Sequence, residues 1–185
     1  MIPSMSIERH DRLENQFYDY FSQVSKLFDD PDGFINFLVN DTGFFDLPAT
    51  THANCNYKGG LLEHSLNVTK ILVDLNYFIA NKKYTLEQCI LHGLFHNLKF
   101  SYYEGNFPFI YDLDKFWVWN ENVNFDDLLN NEMNLSKFIN KDNFETTVEF
   151  KMLLKFAELW SNTHEPFISY RKLESEELIL QVDYL

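Results

Sequence analysis

Gly59-Gly60-Leu61-Leu62-Glu63-His64-Ser65-Leu66-Asn67-Val68-Thr69-Lys70-Ile71-Leu72-Val73-Asp74-Leu75 is the stretch on which the fold turns. Leu61, Val68, Ile71, Leu72, Leu75 and Ile79 recur at the spacing of one helical face, which predicts a helix from Leu61 to about Ala80. His64 lies on that same stripe, so a titratable ring is expected to point inward with the apolar side chains. Gly59-Gly60 reads as a tight turn into the helix. No Lys-Ser or Lys-Thr follows it, so it is not a phosphate loop.

Downstream, Thr85 and Gln88 form a capping box at the start of the next helix. Cys89, His92 and His96 share one face of it, ringed by Ile90, Leu91, Leu94 and Phe95. A single histidine on an apolar face is ordinarily a hydrogen-bonded core residue. Two inward histidines on successive helices, His64 and His96, are the arrangement a transition-metal site requires. A carboxylate is needed beside them to balance the charge and orient the ligands. His92, one turn before His96, is either a packing residue or a further ligand.

Upstream, Leu13, Phe17, Phe21, Val24, Leu27 and Phe28 predict an N-terminal helix over 7–28. Asp29-Asp30-Pro31-Asp32-Gly33 breaks it. Pro31 suits the first turn of a second helix capped by Asp30, with Phe34, Phe37 and Leu38 buried and Thr42-Gly43 as its end. A loop from Phe44 to Tyr57 leads to the glycine pair. Residues Ser101 to Asn124 change character, and the aromatic run from Phe107 to Trp119 reads as a short hairpin or an aromatic loop. Helices are expected again near Asp126–Ile139 and Asn143–Asn162. Val148, Met152, Phe156 and Leu159 mark the buried face of the last, and Pro166 blocks its continuation. Leu178 to Tyr184 is an edge strand or a last short helix. The expectation is one all-α domain over 1–185, with its core at about 34–164 and a tail over 167–185.

Fifteen basic against 28 acidic residues give a net charge of −13. Such a surface repels phosphate at long range and excludes general nucleic-acid binding, whose affinity comes from Lys and Arg. It fits a soluble chain, or one that attracts a basic protein partner. Apolar residues at 45% and aromatic ones at 17% exclude whole-chain disorder. No run approaches the roughly 20 apolar residues that span a bilayer. Met1 to His10 carries no secretory signal, and Cys55 and Cys89 form no disulfide framework, so a cytoplasmic protein is expected. Nothing beside Cys55 argues for a lowered pKa or a base.

The run from Asp46 to Val68, DLPATTHANCNYKGGLLEHSLNV, followed by LHGLFHNLK at Leu91 to Lys99, resembles the HD-domain superfamily. These are all-helical, metal-dependent phosphohydrolases. The likeness is greatest to small HD proteins of phages and their bacterial hosts, which carry a proline-alanine loop, a GGLLEHS helix start and an LLHDxxK helix. It is strong from Pro48 to Lys99. The 19 Phe and 10 Tyr, with abundant Asn, fit the AT-rich genome of a phage.

Carried over residue by residue, the resemblance puts the first metal histidine on His64 and the histidine of the His-Asp doublet on His96. The doublet's aspartate falls on Asn97, whose neutral amide offers one weak carbonyl oxygen and no charge. The late aspartate falls on Glu158, and a histidine common in the preceding loop falls on Asn54. Lys99 stands one position early for a lysine frequent in the family, and is either a phosphate contact or a surface lysine near a helix C-terminus. No histidine lies between His96 and His164 to serve a second metal.

Two functions follow from that likeness. The first is a degenerate HD-fold pseudoenzyme with no cofactor, a metal-binding remnant on His64, His96, Asn97 and Glu158, and remnant catalytic positions His96, Asn97 and Lys99. It would act by binding a protein partner, of the host or the phage, in the host cytoplasm. Tyr102, Tyr103, Trp117 and Trp119 are the expected contact residues, unless this stretch folds back as a lid over the cleft. The second is an active phosphohydrolase with a single divalent transition metal (Mn, Fe, Ni, Co or Zn), cleaving a nucleotide or another phosphate ester.

Overall fold

The computed structural model describes residues 4–49, 55–98, 138, 146–164, 167–172 and 178–183. The first helix, α1, spans Ile7–Val24 and is capped by Ser6, whose Oγ accepts from the Arg9 N–H at 3.3 Å. Its buried stripe is Leu13, Phe17, Phe21 and Val24. It stops short of the expected Phe28 because the chain tightens into a 3-10 turn at Ser25–Leu27, and Phe28 becomes extended. Helix α2 spans Pro31–Asn40, with Asp30 accepting from the Gly33 N–H at 2.9 Å. It ends ahead of Thr42, whose hydroxyl donates to the Leu38 carbonyl at 2.7 Å.

Helix α3 runs Gly60–Phe78 and α4 runs Leu86–Phe95. Both halves of the Thr85–Gln88 capping box are formed, at 3.1 Å each. Between the helices, Asn76 accepts from the Tyr84 N–H and donates to the Tyr84 carbonyl, which closes the turn. Helix α5 spans Val148–His164. A two-stranded antiparallel hairpin follows, β1 (Phe167–Lys172) and β2 (Leu178–Asp183), with Phe167 opposite Asp183 and Lys172 opposite Leu178. Of the two alternatives for the tail, strand is the one observed. Among the described residues, the core is thus an all-α bundle of five helices. The expected aromatic hairpin or loop at 107–119 lies outside the described residues, as does the helix over 126–139 apart from Phe138.

Helix α3 is the hub, packing against α1, α4 and α5. Phenylalanines fill the space on the α1 side. The ring of Phe17 meets Phe21, Phe44, Phe45 and Phe95 at centroid distances of 5.1–6.1 Å. Phe34 joins them against Phe95 at 5.2 Å, and Phe138 closes over Phe34 at 5.8 Å. Each fully buried ring contributes roughly 1.5–3 kcal/mol of transfer free energy. On the other side of α3, Val68, Leu72 and Leu75 pack with Cys89 of α4 and with Phe150 and Ala157 of α5.

The expected buried face of α5 is corrected. Val148, Met152, Phe156 and Leu159 are 71%, 62%, 50% and 55% exposed. Phe150, Ala157 and Ser161 are buried instead, with Leu153, Leu154 and Glu158 half-buried between them. Apolar residues occur on both stripes, so periodicity alone does not choose. The face turned inward is the one that packs Phe150 between Tyr84 and His92, at 4.8 and 5.0 Å. Ile79 is likewise exposed, together with Tyr77 and Phe78 in the last turn of α3.

One close approach fixes the α3–α4 pair. A Cβ at Gly93 would lie 2.6 Å from the Cα of Thr69 and 2.7 Å from its Oγ1. Backbone cannot yield as a flexible side chain does, so Gly93→Ala pushes the helices apart. We expect it to cost about 1–3 kcal/mol, the range for overpacking a tight core, read as a lower urea midpoint at unchanged slope.

Candidate functional site

His64 lies in the second turn of α3, and His96 is the residue that caps the end of α4. The short turn between these helices makes them antiparallel neighbours, so the start of one faces the end of the other. The two rings meet with their Nε2 atoms 3.3 Å apart and their centroids 5.2 Å apart. His96 Nδ1 lies 2.8 Å from the Gly93 carbonyl. A carbonyl only accepts, so Nδ1 carries the proton and, in the neutral ring, Nε2 presents a bare lone pair toward His64. A hydrogen bond between the two Nε2 atoms then takes its proton from His64.

Helix α5 brings Glu158 to this pair. A ring nitrogen of His64, a ring nitrogen of His96 and a carboxylate oxygen of Glu158 all lie within 4.8 Å of one another. Burial works against ionisation of Glu158. The charge His96 carries when protonated, the hydrogen bond and charge of Lys155, and His64 outweigh it and hold the carboxyl below its usual range. Lys155 Nζ donates to Glu158 Oε2 at 2.9 Å.

The donors fit a divalent transition-metal ion. Tetrahedral coordination with bonds of about 2.0–2.1 Å puts two ligand nitrogens about 3.3–3.4 Å apart, and the imidazole pair already stands at 3.3 Å. The Gly93 carbonyl supplies the outer hydrogen bond that fixes the tautomer and direction of a ligating imidazole. Two imidazoles and one carboxylate leave a coordination position open.

Of the other expected site residues, Asn97 is half-buried just beyond α4. His92 is buried against Phe150, outside the three-donor group. Lys99, Tyr102, Tyr103, Trp117, Trp119 and Asn54 lie outside the described residues. Both cysteines are buried thiols, and burial pushes Cys89 up to about 12. A second group, His10, Asp11 and Glu14, also gathers three donor atoms on α1. There the ring nitrogens of His10 are engaged by the Phe45 carbonyl at 2.9 Å and by Glu14 at 3.4 Å.

The sequence reading gave Glu63 no role, yet it is buried next to His64. Its carboxylate accepts from the Arg9 guanidinium of α1 through one oxygen and from the Tyr57 hydroxyl, at 2.6 Å, through the other. Burial first, then the neighbouring Cys55 and Glu63, push the Tyr57 hydroxyl far above its usual pKa, so it stays a donor. The signal available in the sequence was an acidic residue directly after Leu61-Leu62 and beside the inward-pointing His64. Its partner, more than fifty residues away, carried none.

The pair leaves an uncompensated buried charge if one partner is lost. We expect Arg9→Met to destabilise the protein by about 1–3 kcal/mol, the cost of leaving a buried acceptor short of a partner. The Arg9→Met/Glu63→Gln double variant should be less destabilised than the sum of the single variants, as read by urea denaturation.

Compared with known proteins, the chain matches no family model, no curated protein and no solved structure.

Proposed function

We propose that this chain is an HD-domain-like helical scaffold that holds one divalent transition-metal ion on His64, His96 and Glu158 and hydrolyses a phosphate ester, such as a nucleotide. The observation that carries this reading is the convergence of two imidazole nitrogens and a carboxylate oxygen within 4.8 Å, from three separate helices or helix ends. A bound ion of this kind lowers the pKa of a water and stabilises charge on a phosphoryl oxygen. The protein's part is to fix the donors. The Gly93 carbonyl holds the His96 ring and α5 delivers Glu158. Asn97 adds no charge, so the donor set carries the single negative charge of Glu158.

Asn97 also favours a second reading, the relic that binds a protein partner. A doublet without its carboxylate weakens metal affinity first and chemistry with it. The charge of −13 then suits attraction of a basic protein surface.

Elemental analysis of the purified protein, with calorimetric titration by Mn, Ni, Co and Zn, separates the two. We expect about one equivalent of metal, and a loss of more than about 100-fold in affinity in His64→Ala, since losing an outer partner alone costs ~10–100-fold. Nitrogen NMR adds the tautomer: loading moves the His64 proton from Nε2 to Nδ1. A protein that takes up none of these ions, with His64 protonated at Nε2, favours the relic.

Asn97→Asp is expected to tighten metal binding by about tenfold. In the metal-free protein it should cost about 1–3 kcal/mol for a partly buried carboxylate, seen as a lower melting temperature. Equal metal affinity in both proteins would show that Asn97 stands apart from the donor set.

A further inference from the structure

An anionic substrate has to approach this protein against a net charge of −13. Long-range repulsion acts against any phosphate, and an ion on Glu158 would leave only one net positive charge at the site, so capture gains from a second cation beside that ion. We propose that Lys155 is that cation: it rests on Glu158 until an ion claims the carboxylate, and is then released to bind an oxyanion of phosphate type beside the ion. This rests on the metal-site reading and assigns the site's anion-binding residue.

Lys155 precedes Glu158 by three residues on α5, so both side chains leave the helix on one face. Its Nζ lies 2.9 Å from Oε2 of Glu158, whose carboxylate supplies the third donor of the cluster. The lysine side chain is 65% exposed and the glutamate 25%, so the ammonium reaches in from solvent over the rim of the cluster. The two cations compete for one carboxylate. When an ion takes it, the attraction holding Lys155 is cancelled and the ion repels the ammonium. The flexible four-carbon stem then lets three N–H donors swing to an anion at the open position. In this arrangement one charge serves twice: it neutralises Glu158 in the metal-free protein and binds substrate in the loaded one. An i,i+3 pair on an exposed helix face with no further role is the ordinary alternative.

The test uses the full chain loaded with Co(II), titrated with inorganic phosphate and followed by the visible Co(II) spectrum and by calorimetry. Wild type, Lys155→Met and Lys155→Arg are compared. Lys155→Met should bind Co(II) at least as tightly as wild type, because a competitor has gone. Its phosphate affinity in the loaded state should fall by about tenfold or more, the loss of a charge-assisted contact. Lys155→Arg should stay within about threefold of wild type for phosphate, since it keeps charge and donors. Equal phosphate affinity in Lys155→Met and wild type, with Co(II) bound in both, overturns the role of Lys155 and leaves the metal site standing. Weaker Co(II) binding in Lys155→Met, or a loaded wild type that does not bind phosphate, overturns it as well. A wild type that takes up no Co(II) overturns both readings at once.

Discussion

The contact between Gly93 and Thr69 is where the geometry of this protein is decided. With no side chain at Gly93, the backbone of α4 settles onto α3 closely enough that a methyl group would collide with the Thr69 Cα. That distance, together with the antiparallel turn closed by Asn76 and Tyr84, determines how far apart the ends of the two helices stand. His64 and His96 sit at those ends. The same residue also supplies the carbonyl that orients the His96 ring. Gly93 thus sets both the separation of the rings and the direction of one of them, and interiors this dense transmit such a constraint without slack.

A second constraint acts on the far side of the same helix. The first two turns of α3, Gly60 to Leu66, are buried all round, so no polar side chain there escapes to water. Glu63 is therefore tied to Arg9 and Tyr57 instead. Gly59 turns the chain with φ of +84°, a conformation glycine adopts freely. A Cβ on Gly60 would strike the Cys55 carbonyl at 1.9 Å, which explains the second glycine. The start of α3 is thus clamped by backbone sterics, by a buried ion pair and by α4, and His64 sits inside that clamp. A buried ion pair seldom adds net stability over an apolar one. Its effect here is to fix which face of α3 meets α1.

Much of the helical order was legible in the residues. The Asp30 and Thr85 caps, the break at Asp29 to Gly33 and the inward side of α3 all rest on local chemistry that acts within a turn or two. The placement of α5 was not legible. Val148, Met152, Phe156 and Leu159 form as good an apolar stripe as Phe150, Leu153, Ala157 and Ser161, and tertiary contact with Tyr84 and His92 chose between them. The Arg9–Glu63 pair was invisible for a related reason, since a charge partner from another helix leaves no periodic trace. At the site, the facing of His64 and His96 follows from local pattern plus one short turn. The nearness of Glu158 depends on the face of α5, which the stripe of large apolar residues misidentified; only the resemblance pointed to that residue.

The three donors also differ in how they come together. His64 and His96 belong to neighbouring helices joined by a short turn, so they meet as a local event with little chain to close. Glu158 arrives on α5 after a long intervening stretch, and its docking carries the larger loop-closure entropy. The imidazole pair can therefore assemble before the carboxylate. Exchange of a bound ion with solvent would then follow the rate at which α5 lifts from α3. It would not wait for the phenylalanine core around Phe17 to unfold, so residence of any ion held there and stability of the fold would be set by different parts of the molecule.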